Sequence, residues 1–447
     1  MKRFWQPTFV FWGQVLLVAA GWYATGLFRP QPVPDTPSYE QFPWHDPLRA
    51  MRTVGYPALL YVSNLVDSGH DALIVFQFLW QVICVRILWQ GLAVATGERW
   101  RSMIAASALL YSHFFYRYGN ALAPDAVAAA TAIAVVGWLL QCVYRPTLSK
   151  WLLLTAGICV AYHLRPAYLF LVVYAPVLAV WLLWYQSPGN DKSLYVRAAV
   201  RFVIVSFGPL VAYCCLRWIL VGQLGLVAFG GANFAGVVTA FLKDADVERL
   251  PSDLQPLATM ILSERRRWQE RGHEELADPT VRYSDIERGF DWRTWKVCVP
   301  AARRVGHSRW HEIDAALWRV AWQIAALQPS LYLAWLAKAF LWGVHTAAGG
   351  YLLHPLYAAV LFWVAIGPLW RRDRTVVDSV PSRFIFGWGI VWGTAFSYMV
   401  FKLAFIILTT PPLGRMADAA ALLMSVALFW AAGGAALTRP EASRNAR

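Results

Sequence analysis

The sequence predicts an all-α polytopic membrane protein of about ten spanning helices, with one mainly helical loop on the outer side. Three observations carry that prediction. Of the 447 residues, 58% are apolar and only 15% are charged, against ~45–50% and ~25% in an ordinary soluble domain. Trp occurs 25 times and Tyr 19 times, as expected where many segments cross two membrane–water interfaces. Apolar runs of roughly 17–25 residues, the length that crosses a bilayer, recur along the chain. The same numbers exclude a cytosolic enzyme, a disordered chain and a small disulfide scaffold.

The first run covers about 8–28, behind Met1-Lys2-Arg3. Val18-Ala19-Ala20 resembles a signal-peptide cleavage site, but the apolar run continues past it to Leu27, which favours a retained span. Further spans are expected at about 71–96, 102–118, 122–143, 151–164, 166–186, 198–221, 351–370, 384–410 and 414–437. Arg165-Pro166 divides two of these.

Orientation follows from the Lys/Arg bias of short loops. With both termini inside, the inner segments hold 16 basic residues and the short outer segments hold 6. The net charge of +14 is therefore mostly a record of topology, and no nucleic-acid surface is needed to explain it. Residues 329–349 are apolar enough to span, but a span there would place Arg371-Arg372-Asp373-Arg374 outside. They are read instead as an interfacial helix whose Lys338 snorkels or faces a cavity.

The chain thus divides into a membrane module, 1–221, with an outer catalytic loop at 29–70, an outer loop region at 222–328, the interfacial helix 329–349, and a second membrane module, 350–447. The 222–328 region opens on Phe229-Gly230-Gly231-Ala232-Asn233, a turn-rich entry. One helix is expected from Ser252 or Asp253 as N-cap. Another, from about Ser308, carries Ile313, Leu317, Val320, Ile324 and Leu327 on one face. No internal repeat is present, and so no inverted-repeat transporter signature.

Five of the six cysteines lie in spans and only Cys298 lies in the outer loop, so no disulfide framework is available. His307 and His311 have i, i+4 spacing, but Glu312 does not directly follow the first His as a zinc-protease helix requires. No metal site is expected.

Ionisable groups at the membrane boundary are costly and mark sites by default. Asp35, in Pro34-Asp35-Thr36-Pro37-Ser38-Tyr39-Glu40, lies just past the first span. Asp125, in Ala123-Pro124-Asp125, opens another span from the same side, where its residue type also suits a helix cap. Two carboxylates at one interface, on separate elements, suit general-base work on a hydroxyl or amine. Arg52, Arg117, Arg165, Arg217 and Arg415 converge on that face, with Lys338 and Lys402 deeper. Such cations suit a phosphate-bearing lipid leaving group, because Arg binds phosphate through two hydrogen bonds. Snorkelling to lipid headgroups is the competing account of each. Arg86 and Lys402 lie inside spans and need partners that the sequence does not name.

Asp35-Thr36-Pro37-Ser38-Tyr39, followed by Arg52-Thr53-Val54-Gly55-Tyr56-Pro57-Ala58-Leu59-Leu60, resembles the first-loop signature of the GT-C superfamily. It is most similar to bacterial relatives of protein O-mannosyltransferases and lipid A aminoarabinose transferases. Pro124-Asp125, Arg165-Pro166 and the entry Gln328-Pro329-Ser330-Leu331-Tyr332 also look similar, and more loosely Gly414-Arg415 does. Val54, Met416 and Gln328 depart from the usual Pro, Tyr and His, and the first loop lacks the family's acidic pair.

The resemblance implies an inverting glycosyltransferase with a polyprenyl-phosphate-linked sugar donor and an acceptor that is lipid, protein or polysaccharide. It implies a bacterial inner-membrane location and an extracytoplasmic site, with no cofactor or metal in the transfer. Asp35 would be the base and Asp125 its support, Tyr39, Arg52 and Tyr56 would bind substrate, and Arg165, Arg415 and Lys338 would hold the lipid phosphate. Two other readings stay open from the residues alone: a transporter or flippase of a lipid-linked substrate, and a non-catalytic partner in envelope polysaccharide assembly.

Overall fold

A computed structural model describes residues 6–186, 192–272, 286, 287, 289–352, 359 and 382–437. The protein is an all-α polytopic membrane protein. Among the described residues, strand-like pairing is limited to one parallel bridge between Gln31 and Ala121. Among the described residues, six helices are long and apolar enough to cross a membrane, or seven if a bent pair counts as one span. The expected span at 351–370 lies almost wholly outside the described residues.

Helix α1 (Pro7–Ala24) leads into a first loop with two short helices, α2 (Thr36–Glu40) and α3 (Gly55–Val66). The long helix α4 (Asp71–Thr96) follows. The expected span over 102–118 is instead three pieces: α5 (Arg99–Ser107), a 3₁₀ turn (Ala108–Tyr111) and α6 (His113–Tyr118). Ser112 makes the break. Its backbone is extended, and its hydroxyl accepts from Phe115 N and starts a new helix.

Helix α7 (Asp125–Tyr144) is the central rod, buried along almost its whole length. Its run of alanines, Ala126 to Ala134 with Val127, Thr131 and Ile133 between, keeps it slim. Gly137 lies against α4 so closely that a Cβ would sit 2.7 Å from the Ile87 carbonyl oxygen. Small residues allow such approach, and close backbone packing is a main source of helix association in lipid. Helices α8 (Leu148–Leu164), α9 (Phe170–Gln186) and α10 (Lys192–Val221) complete the first module, with α10 exposing most of its apolar surface at the edge.

The outer region has its own core, formed by Phe234, Leu257, Ile261, Val297, Ile313, Leu317, Val320 and Ile324 among others. Its elements are α11 (Gly230–Val238), α12 (Asp244–Val247), α13 (Gln255–Gln269), α14 (Phe290–Trp292), a π-helical turn (Arg293–Cys298), α15 (Val299–Arg304) and α16 (Trp310–Leu327). Two details differ from the sequence reading. Gly230 and Gly231 open α11 rather than a loop, because Gly231 packs directly on the α16 backbone at Asp314. Asp253 does not cap α13; it pairs with Arg319 at 2.6 Å, and Leu254 stands at the cap. Of the expected α16 face, Ile313, Leu317, Val320 and Ile324 are buried and Leu327 packs against the same core.

Helix α17 (Pro329–Leu352) leaves α16 at a bend of 101°. Gln328 sits at the corner and donates from Nε2 to both carboxylate oxygens of Asp246, at 3.1 and 3.2 Å. The last described helices are α18 (Ser382–Ile407), α19 (Gly414–Ala420) and α20 (Leu422–Leu437).

Candidate active site

The first loop is strapped to the turn that opens α7. Gln31 N donates to Asn120 O at 2.8 Å, and Leu122 N donates to Gln31 O at 2.9 Å. Thr36 Oγ1 donates to Leu122 O at 2.9 Å and accepts from Val33 N at 2.8 Å. These bonds carry Asp35 to the mouth of α7, where Asp125 stands. On the other side, Gly55 opens α3 against α8, and a Cβ there would lie 2.6 Å from the His163 carbonyl oxygen. That contact brings the Arg52 segment beside Arg165.

Four of the expected charges meet as a result, and a fifth joins them. Arg52 Nη2 donates to Asp35 Oδ1 at 2.9 Å. Arg415 Nη2 donates to Asp35 Oδ2 at 2.9 Å, and its Nη1 lies 3.9 Å from Asp125 Oδ2. Arg165 pairs with Asp125 through the other oxygen. Asp125 is buried at 4% exposure and is the first residue of its helix, with no capping hydrogen bond from the preceding Pro124. The ion pair, rather than capping, accounts for its place.

Burial pushes the Asp35 carboxyl up, but Arg52 and Arg415 together outweigh it and hold the group below the ordinary carboxylate value. At neutral pH it is ionised and both its oxygens are engaged.

Asp35, Tyr39, Arg52, Arg165 and Arg415 line one cavity of about 560 Å³. One wall is aliphatic, with Leu164, Pro166, Leu169, Ile406, Leu413 and Met416. The outer region contributes aromatic lining, with Phe229, Phe234, Phe290, Trp295, Trp318 and Trp322. Tyr39 lies under the Arg52 guanidinium, 4.9 Å from its centroid. Tyr56 is fully buried behind Tyr39, their rings edge to face at 5.2 Å, and does not line the cavity.

Lys338 is not among the lining residues, so the structure does not bring it to the other cations. Nor does it bring Arg217, which is buried and donates to the Leu48 and Gly225 carbonyls and to Gln223 Oε1, tying loops together. The two intramembrane cations find partners. Arg86 lies 5.7 Å from the Trp12 ring, and Lys402 Nζ donates to Tyr168 Oη at 2.9 Å, one turn beyond Arg165.

Sequence reasoning missed Asp291, Phe229 and Trp295, all on the cavity wall. Burial raises the Asp291 carboxyl, with Arg415 opposing and Asp35 adding to the rise. Among the described residues, no group of three or more His, Cys, Asp or Glu side chains could hold a metal ion.

Residues 55–213 match the family model described as dolichyl-phosphate-mannose-protein mannosyltransferase. The match supports a GT-C superfamily glycosyltransferase. The matched stretch runs from α3 into α10 and carries Asp125 and Arg165; Asp35, Arg52 and Arg415 lie outside it. The long apolar helices mark the chain as a membrane protein. No curated protein and no solved structure matches the chain.

Proposed function

We propose that the protein moves a sugar, with inversion, from a polyprenyl-phosphate-linked donor to an acceptor on the extracytoplasmic face of the membrane. The observation that supports this most is the meeting of Asp35 and Asp125 with Arg52, Arg165 and Arg415 at a cavity that aliphatic side chains also line. The aliphatic wall suits the first units of a lipid chain, and the arginines suit the phosphate attached to it.

In this reading the acceptor hydroxyl attacks the anomeric carbon while Asp35 takes its proton. The bond from that carbon to the phosphate oxygen breaks, and the electron pair leaves with the phosphate. Arg415 and Arg165 stabilise the charge that develops on it. Asp125 keeps both arginines in position between turnovers. A phosphate arriving on Arg415 draws that cation from Asp35 Oδ2 and so makes the carboxylate a better base at the moment it is needed. Arg52 stays on Oδ1 and fixes the orientation. The inner-membrane location and cytoplasmic termini belong to the same reading, supported by the distribution of basic residues between loops.

The test uses purified protein in lipid vesicles and follows release of polyprenyl phosphate from the labelled donor. Asp35→Asn is expected to lower the rate by about 10²–10⁴-fold with expression kept. Unchanged turnover in that variant ends the assignment.

A further inference from the structure

The cavity lining joins the charges around Asp35 to aromatic rings from the outer region. Three rings there form a single patch. The centroid of Phe229 lies 6.1 Å from that of Trp295 and 6.2 Å from that of Trp310, and the two tryptophans are 5.8 Å apart. The two tryptophan planes are stacked, 20° apart, and the Phe229 ring is tilted to them by 36° and 31°. Phe229 and Trp295 line the main cavity, while Trp310 lines a second one of about 490 Å³. The patch also touches the machinery. The Arg52 guanidinium, which holds Asp35, lies 5.1 Å from the Phe229 centroid.

Polar groups on this wall are few and well placed. Asp291 lines the cavity about one helical turn before Trp295, and Asn233 lines it about one turn after Phe229. Among the described residues no ion pair or hydrogen bond engages the Asp291 carboxylate.

A sugar ring offers two surfaces, an apolar face of C–H groups and a rim of hydroxyls. Aromatic rings cover the first, and a carboxylate and an amide take the second. A polypeptide would need partners for its own backbone N–H and C=O groups. The usual supply is an open strand edge, and the described residues have no strand to offer one. A hydrocarbon tail laid across this wall would desolvate Asp291 without return.

We infer that the acceptor is a saccharide, its ring faces on Phe229, Trp295 and Trp310 and its hydroxyls on Asp291 and Asn233. The patch runs from the main cavity into the second, which gives room for a chain of sugar rings. Calling this ligand the acceptor rests on the transfer reading above; the binding itself does not.

The experiment is saturation-transfer NMR on the purified full-length protein in detergent micelles, without donor. The probes are linear oligosaccharides of glucose, galactose, mannose, rhamnose and N-acetylglucosamine, with a Ser/Thr-rich peptide for comparison. At least one oligosaccharide is expected to receive saturation, chiefly at the ring C–H protons. Trp295→Ala is expected to weaken that binding about tenfold, with Trp295→Phe recovering most of it. Asp291→Asn, which breaks no ion pair or hydrogen bond among the described residues, is expected to weaken it as well. Asp35→Asn, which stops transfer, leaves it intact, so the two readings fail separately. No oligosaccharide bound, equal binding in Trp295→Ala, or binding of the peptide instead would overturn the inference.

Discussion

Arg52 and Asp35 form a unit fixed on several sides. The Arg52 Nη2 donates to Asp35 Oδ1 at 2.9 Å, and its Nε donates to Ser38 Oγ at 3.1 Å. Ser38 Oγ in turn donates to the Asp35 carbonyl oxygen at 2.6 Å, and the guanidinium covers the Tyr39 ring. One turn of α2 therefore presents carboxylate, hydroxyl and aromatic ring to a single cation. Small rotations of Asp35 are resisted by each of these contacts.

That arrangement sets a pH dependence. The Asp35 carboxyl is held below its unfolded value of about 3.9. The stability its ion pairs contribute is therefore complete above that value and is lost as pH falls through the lower folded value. As a base, it should stay ionised across the same range. Arg415→Gln removes one of the opposing cations, so the acid limb of kcat/KM against pH should move upward, toward the ordinary carboxylate value. An unmoved limb would show that Asp35 is not the group being read.

Asp125 depends on Arg165 in another way. It is almost fully buried, and removing one member of such a pair leaves an unpaired charge. Arg165→Ala should cost about 3–5 kcal/mol, read as a fall in melting temperature in detergent. The double variant Arg165→Ala with Asp125→Ala should recover part of that loss while staying inactive. A double variant no more stable than the single one would mean that the cost comes from packing.

The crossing of α4 and α7 should tolerate no added methyl group. Gly137→Ala drives a Cβ toward the Ile87 backbone, which has no free side chain to move aside. The expected loss is about 1–3 kcal/mol, again by thermal melting. The same substitution at Gly208, with open space around it, should be harmless.

Asp246 holds the corner between α16 and α17. Besides both bonds from Gln328, it accepts from Lys243 N at 3.1 Å and is itself buried. Asp246→Ala strips partners from part-buried donors, at about 1 kcal/mol each. Amide exchange should then rise first at the start of α17, before the membrane helices open.

Much of the site was legible because its residues break a local rule. Asp35, Asp125, Arg165 and Arg415 are charges at the ends of apolar runs, and a charge there stands out against hydrocarbon. Asp291, Phe229 and Trp295 break no rule. They lie in a polar outer segment rich in both charge and aromatics, where nothing in the spacing separates a cavity wall from ordinary surface. Lys338 shows the reverse error: it is conspicuous within an apolar helix, yet it stays away from the cavity. The broken span over 102–118 was missed because apolar content alone does not reveal where a backbone turns. The turn rests on one serine hydroxyl, and Ser112 looks like any other serine in the run.

The bond between Arg415 and Asp35 joins positions 380 residues apart. At about 5–20 residues per second, a ribosome needs roughly 20–80 seconds to make the intervening chain. Throughout that interval the nascent protein already displays its acidic loop but lacks the last cation of the floor. On the reading proposed above, a fragment that stops short of α19 should turn over the donor more slowly than the whole chain, however well it inserts, because Asp35 Oδ2 lacks its Arg415 partner. The floor of the cavity is closed only when the last part of the chain has been made.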